Sequence, residues 1–413
     1  MDMVTALPNA PTSSLRVRLP SALKQAGPAG AAAALLDAGG PAVCLGGAMG
    51  MDGLAVPITP DAASLFGPRG ACLVGIDGPL WVSDTGHHRL LGWARLPLTD
   101  DTPADWVIGQ PDFWHEGRNA KGQPTAATLN VPTGVTACGQ GLAVADAWNH
   151  RILIWRQLPR DHNVPADLVL GQADFSGALA NRGADAPCSQ SLFWPYGVFW
   201  DGARLWVADS GNRRVLMWRG LPTASGQAAD LVLGQHNFTC RDENAGGAPS
   251  AMSMRWPHDI THWRGQLCVA DAGNNRIMVW QHPPTANGTP CDHILGQNDA
   301  VLVDNNQSLY WPNAAALNMP YGITSTGDWL LAADTANSRL IGWHISDCAT
   351  GAAARALTGQ TDFSAKGDNR WQMPVRDSLC WPYGVRACGD SIVVSDSGNC
   401  RVVLWKLAPG CQQ

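Results

Sequence analysis

The segment Asp-x-Gly-Asn-x-Arg, in close variants, recurs six times along the chain, its Asp at positions 84, 146, 209, 271, 334 and 396. Successive copies lie 62 or 63 residues apart. Self-similarity at such a period means stacked supersecondary units, none of which can bury its apolar surface alone. Each copy follows an apolar run such as Leu205-Trp206-Val207-Ala208 and precedes another such as Val215-Leu216-Met217-Trp218, and the second run ends in Trp every time, at 93, 155, 218, 280, 343 and 405.

Within one period the chain reads as four strands. In the third copy, Gly197-Val198-Phe199-Trp200 closes on Asp201-Gly202, two runs flank the Asp209-Ser210-Gly211-Asn212 turn, and Leu231-Val232-Leu233-Gly234-Gln235 follows a connection holding Pro and Gly. Short β-branched and aromatic runs bounded by Gly, Asn and Asp are strands, and runs apolar at every position suit sheets covered on both faces. Four antiparallel strands repeated radially make a β-propeller, so the expected fold is all-β and six-bladed. In the turns, Gly211 and Asn212 are expected to take the left-handed backbone conformation. The Asp209 carboxylate is expected to accept bonds from turn amides and to face the Arg214 guanidinium.

The two ends of the chain predict how the ring closes. Val107-Ile108-Gly109-Gln110 recurs as outer strands at 169–172, 232–235, 294–297 and 357–360, and a step of 62 back from Gln110 falls in Leu45-Gly46-Gly47-Ala48. After Trp405 only 406–413 remain, too few for an outer strand. Residues 43–48 are therefore expected to complete the last blade beside 401–405, which removes the exposed sheet edges. A chain of 413 residues would by itself suggest two or three domains. The repeats run without a linker, however, so one ring is expected at 43–407, with a flexible leader at 1–42 and a tail at 408–413.

The stretches Val-Ala-Asp-Ser-Gly-Asn-Arg-Arg-Val at 207–215, Val-Ala-Asp-Ala-Trp-Asn-His-Arg-Ile at 144–152 and Val-Ser-Asp-Ser-Gly-Asn-Cys-Arg-Val at 394–402 resemble the NHL repeat. The resemblance covers about residues 43–407. Departures are His87 where the family's Asn is expected, Trp148 and Ala336 in place of the Gly, and a longer unit whose extra length falls between the fourth strand and the next first strand. Some NHL propellers bind RNA. Here a net charge of −6 and only 28 Lys plus Arg leave no basic footprint, so no nucleic-acid partner is expected.

No stretch approaches the roughly 20 apolar residues of a membrane span. The small-residue run at 29–36 is broken by Asp37 and lies among prolines, unlike a secretory signal. The twelve Cys show no metal-ligand spacing and read as reduced thiols in a cytoplasmic protein, with Cys44 and Cys411 as the one pair that ring closure would bring to the same edge in an oxidising compartment, periplasmic or secreted.

Function is to be sought where the blades differ. The residue after the Pro that opens each inner strand should stand at the mouth of the central channel, and it reads Arg69, Thr133, Tyr196, His258, Tyr321 and Tyr383. Three of the chain's four Tyr hold this one position, with Trp194, Trp256 and Trp381 just before the Pro. Apolar faces with hydrogen-bonding tips suit a peptide or small-molecule site; aromatic residues beside Pro also simply pack the start of a strand. The resemblance extends to peptidyl-hydroxyglycine lyases, which hold zinc on His residues at this mouth. Only Pro257-His258 matches them, and one His cannot hold a catalytic zinc. His87, His88 and His150 lie in neighbouring turns on one face and form a second grouping to be weighed as a site or as turn residues. A lactonase-like propeller would need carboxylates on the inner strands, yet the residues four after each Pro are Cys72, Thr136, Phe199, Thr261, Thr324 and Arg386, and Asp259 is the one acid near the mouth. No metal and no cofactor are therefore expected, and no Gly-x-Ser-x-Gly elbow or phosphate loop is present. The expectation is a binding or assembly scaffold for a protein or peptide. A small-molecule enzyme, with His258 and Asp259 as acid/base pair, is the second reading.

Overall fold

The structure, a computed structural model, describes residues 32–47 and 59–412. Six antiparallel sheets stand in a ring, each running from an inner strand at the channel to an outer strand at the rim. In the third blade these strands are Pro195–Trp200, Arg204–Asp209, Arg214–Arg219 and Leu231–Leu233. The second and third strands are buried at nearly every position because a neighbouring blade covers each face, which is why they carry no polar alternation. The fold is thus the six-bladed β-propeller that the repeat predicts.

Closure follows the expected register. Val43–Gly46 is the outer strand of the sixth blade and pairs antiparallel with its third strand, Val43 opposite Leu404 and Gly46 opposite Arg401; Ala48 lies outside the described residues. A clasp covers this strand. Arg376 from the last connection grips Asp100 with two nitrogens, at 2.7 and 3.0 Å, and also donates to the Pro41 and Ala42 carbonyls, while Asp100 accepts the Cys44 amide. The Arg376 hydrogen bonds hold the Asp100 carboxyl below its ordinary value.

The ring begins earlier and ends later than 43–407. Of the expected leader, 1–31 lie outside the described residues, but Ala33–Ala34 adds a parallel fifth strand to the rim of the fifth blade. Leu35 and Leu36 are buried beside it. The reason lies in the Trp that ends every third strand. In five blades its indole Nε1 donates to a carbonyl nine residues on, as Trp218 does to Gln227 at 3.0 Å. For Trp405 the carbonyl comes instead from Asp37, at 2.8 Å. In the tail, Ala408 is buried and Cys411 belongs to the same cluster as Leu35 and Leu36. Cys44 packs against that cluster too, but all twelve thiols stand unpaired. Among the described residues no helix is long and apolar enough to cross a membrane.

The motif works differently from its expected turn chemistry. Asp209 turns one oxygen to the Arg214 Nε and the Asn212 amide, at 2.8 Å each, and the other to the Phe193 backbone amide of the incoming connection. The residue in the left-handed conformation is Arg213, at φ 56°, not Gly211 or Asn212. Gly211 is required because a Cβ there would overlap Phe193. His87 takes the Asn position, with Nδ1 2.8 Å from Asp84.

Candidate functional site

The residues after each opening Pro do meet at the channel mouth. Arg69, Thr133, Tyr196, His258, Asp259, Tyr321 and Tyr383 all line one cup, on the face that carries the motif turns and the long connections. Backbone geometry brings them together. The next position along each inner strand is Gly70, Gly134, Gly197, Gly322 or Gly384, and a Cβ on any of these would collide with the backbone of the following blade. Asp259 stands at the sixth such position, in the fourth blade. Its side chain makes the blade contact instead, accepting the Ile323 amide of the fifth blade at 2.9 Å.

Asp259 is held further by Arg386, whose two terminal nitrogens meet its two oxygens at 2.6 and 2.7 Å across the channel. Burial works against the Arg386 charge, but Asp259 more than offsets this and the guanidinium stays charged. Above this bar the rings close up. His258 lies between Tyr196 and Tyr321, at centroid distances of 4.7 and 4.3 Å, and Tyr321 meets Tyr383 at 4.4 Å with the rings tilted by 36°. Burial drives His258 down to about 4, and Arg69 adds to this, so its ring is neutral at pH 7. Its Nδ1 is 3.1 Å from the Trp256 carbonyl. Burial also raises Tyr321 to about 12. The space left in the cup is about 20 Å³, enough for about one water.

The acid/base pairing of His258 with Asp259 is therefore not formed, since Asp259 faces Arg386 and His258 is enclosed by rings. Thr133 donates to the Tyr196 carbonyl at 2.8 Å and so fastens the second blade to the third. Arg69 differs from all of these. Its guanidinium lies 4.6 Å over the Tyr383 ring and makes no hydrogen bond or ion pair among the described residues. The rings and the Asp259–Arg386 bar divide the channel. Beyond them lies a second cavity of about 300 Å³, walled by Cys72, Thr136, Phe199, Thr261, Thr324 and Arg386, the ring four residues after each Pro.

Of the three turn His, His87 is held by Asp84 of its own turn and the other two make blade-to-blade bonds. His88 and His150, each left-handed after its motif, accept through Nδ1 the amides of Val131 and Trp194 in the next blade, at 3.0 and 3.1 Å. Asn275 and Ser338 do the same for Met319 and Trp381. Among the described residues no group of three His, Cys, Asp or Glu is placed to hold a metal.

The long connections also carry an order that the sequence reading missed. Asn119, Asn181, Asn244, Asn306 and Asn369 each sit left-handed in a short 3-10 turn; four of them exchange side-chain bonds with a motif Asn, as Asn181 does with Asn212 at 3.0 and 2.8 Å, while Asn244 only accepts from Asn274, at 2.9 Å. Their spacing of 62 or 63 was the available signal. Between these fixed points large apolar side chains stand in solvent, Trp114 and Trp371 at 71% exposure, with Trp194, Trp256 and Trp381 around the cup.

A β-propeller with a filled mouth and an apolar connection face is the class that fold and site define. No family model matches the chain, and no curated protein matches it. Among solved structures, a streptogramin B lyase is similar at 14% identity over 86% of this chain and 95% of its own, with a TM-score of 0.41. The hydrazine synthase of Kuenenia stuttgartiensis is similar at 11% identity, over 86% and 99%, with a TM-score of 0.46. A WD40 β-propeller domain is similar at 10% identity, over 84% and 96%, with a TM-score of 0.44. At such values the likeness carries nothing beyond the propeller itself.

Proposed function

We propose that the chain is an NHL-type propeller acting as a non-catalytic binding or assembly scaffold, with the connection face as the docking surface for a protein or peptide. One observation carries this reading: apart from Ile76 and Leu98, every large apolar side chain that is exposed among the described residues belongs to the long connections or the motif turns of that one face. Exposed aromatic residues gathered on one surface mark partner sites. The filled mouth supports the same reading, because a cup of about 20 Å³ has no room for a substrate. A lyase- or lactonase-like enzyme at the mouth is the weaker reading, as both of its titratable groups are engaged. A cytoplasmic setting is part of the proposal and agrees with twelve unpaired thiols.

Chemical cross-linking in cells of origin, followed by capture of the tagged full chain, tests the face. Proteins retained by the wild type should be lost with Trp114→Ser/Trp371→Ser and kept with Ile76→Ser/Leu98→Ser, which alters the opposite face. Equal retention by all three chains would remove the connection face from consideration.

A further inference from the structure

From a cation at the channel mouth that is unpaired among the described residues we infer that the docked partner inserts an Asp or Glu carboxylate there, gripped by Arg69. This rests on the docking face proposed above and says what that face selects. Arg69 is half-buried, is steered over the Tyr383 ring, and has no counter-ion among the described residues. The mouth's own acid cannot serve, since Asp259 is held by Arg386 with both oxygens. The hydroxyls of Tyr196 and Tyr383, in the same cup, find no partner among the described residues either. Three donors without a partner among the described residues thus line one cup, and a partly desolvated guanidinium favours an oxyanion strongly. The cup's size selects further. About 20 Å³ admits the tip of a side chain and not a free metabolite, so the carboxylate must arrive on a chain that lies outside the cup. Trp194, Trp256 and Trp381 stand exposed around it, a surface suited to apolar residues flanking the acid. The partner is therefore a segment in which Asp or Glu sits between apolar side chains.

Selection of a phage-displayed random heptapeptide library on the full chain, and in parallel on Arg69→Leu, tests this. Peptides recovered on the wild type should share an Asp or Glu next to apolar residues. Their synthetic, terminally capped forms should bind Arg69→Leu about ten- to a hundredfold more weakly, the loss expected of a charge-assisted bond pair. Arg69→Lys should retain the preference for an acid, and melting of each variant checks that the ring is intact. Wild-type peptides without a shared acid, or acidic peptides that bind Arg69→Leu equally, overturn the Arg69 anchor while leaving the docking face standing if Trp381→Ser weakens them. Failure to enrich any peptide on the wild type overturns both. Displacement of the peptides by millimolar inorganic phosphate would assign the mouth to a free anion and overturn the acidic segment.

Discussion

Arg214 makes four hydrogen bonds from a fully buried guanidinium: one to Asp209 and three to the carbonyls of Phe238, Cys188 and Ser191, in the connections on either side. The motif Arg is thus a strut for the loops as much as a partner for the Asp. Replacing Arg214 by Met should lower stability by about 3–5 kcal/mol, because Asp209 would be left buried and unpaired. Denaturant unfolding would measure it, and adding Asp209→Asn should recover part of the loss. The pairing of Asp with Arg was legible from their recurrence. The left-handed residue was not, since turn statistics favour Gly and Asn, whereas in all six turns the positive φ falls on the residue just before the motif Arg, at His88, His150, Arg213, Asn275, Ser338 and Cys400, whatever its type. For Asp259 the sequence offered an acid beside a His. Its true partner, Arg386, lies 127 residues away across the channel.

Strands, their order and the closing register could be read from the chain because buried runs of four to six apolar residues are bounded by polar turns at constant spacing. The connections could not, because their order comes from side-chain to backbone bonds that leave no hydrophobic pattern. Bonds between neighbouring blades belong to this hidden layer, and two of them titrate. Burial pushes His88 and His150 down to about 4 from an ordinary 6.5, and each must be neutral at Nδ1 to accept its amide. Between those two values the unfolded chain binds more protons than the folded one, so stability should be level above about pH 6.5 and fall steadily towards pH 4. Thermal melts across pH 4–8 would follow this. His150→Asn copies the bond that Asn275 already makes to Met319, and should flatten part of the slope; an unchanged slope would show that this imidazole does not titrate on unfolding.

For the whole molecule, what matters is that the sixth blade borrows its rim from the other end of the chain. Truncation through residue 50 should abolish cooperative unfolding. It takes away Val43–Gly46 and, with it, the Arg376–Asp100 clasp's hold on the closing strand. Truncation through residue 42 should keep a cooperative transition of clearly lower midpoint, since Leu35 and Leu36, each worth roughly 1.5–3 kcal/mol of burial, leave with the acceptor for Trp405. Calorimetry of both chains would decide, and two melts like that of the intact protein would refute the closure. The same arrangement orders events during synthesis. Residues 33–46 leave the ribosome more than 300 residues ahead of their partners at 356–357 and 401–404. Non-local pairing of this span is slow to form, so until residues 401–404 have been made the strand Val43–Gly46 stays without its partner and needs protection from other chains.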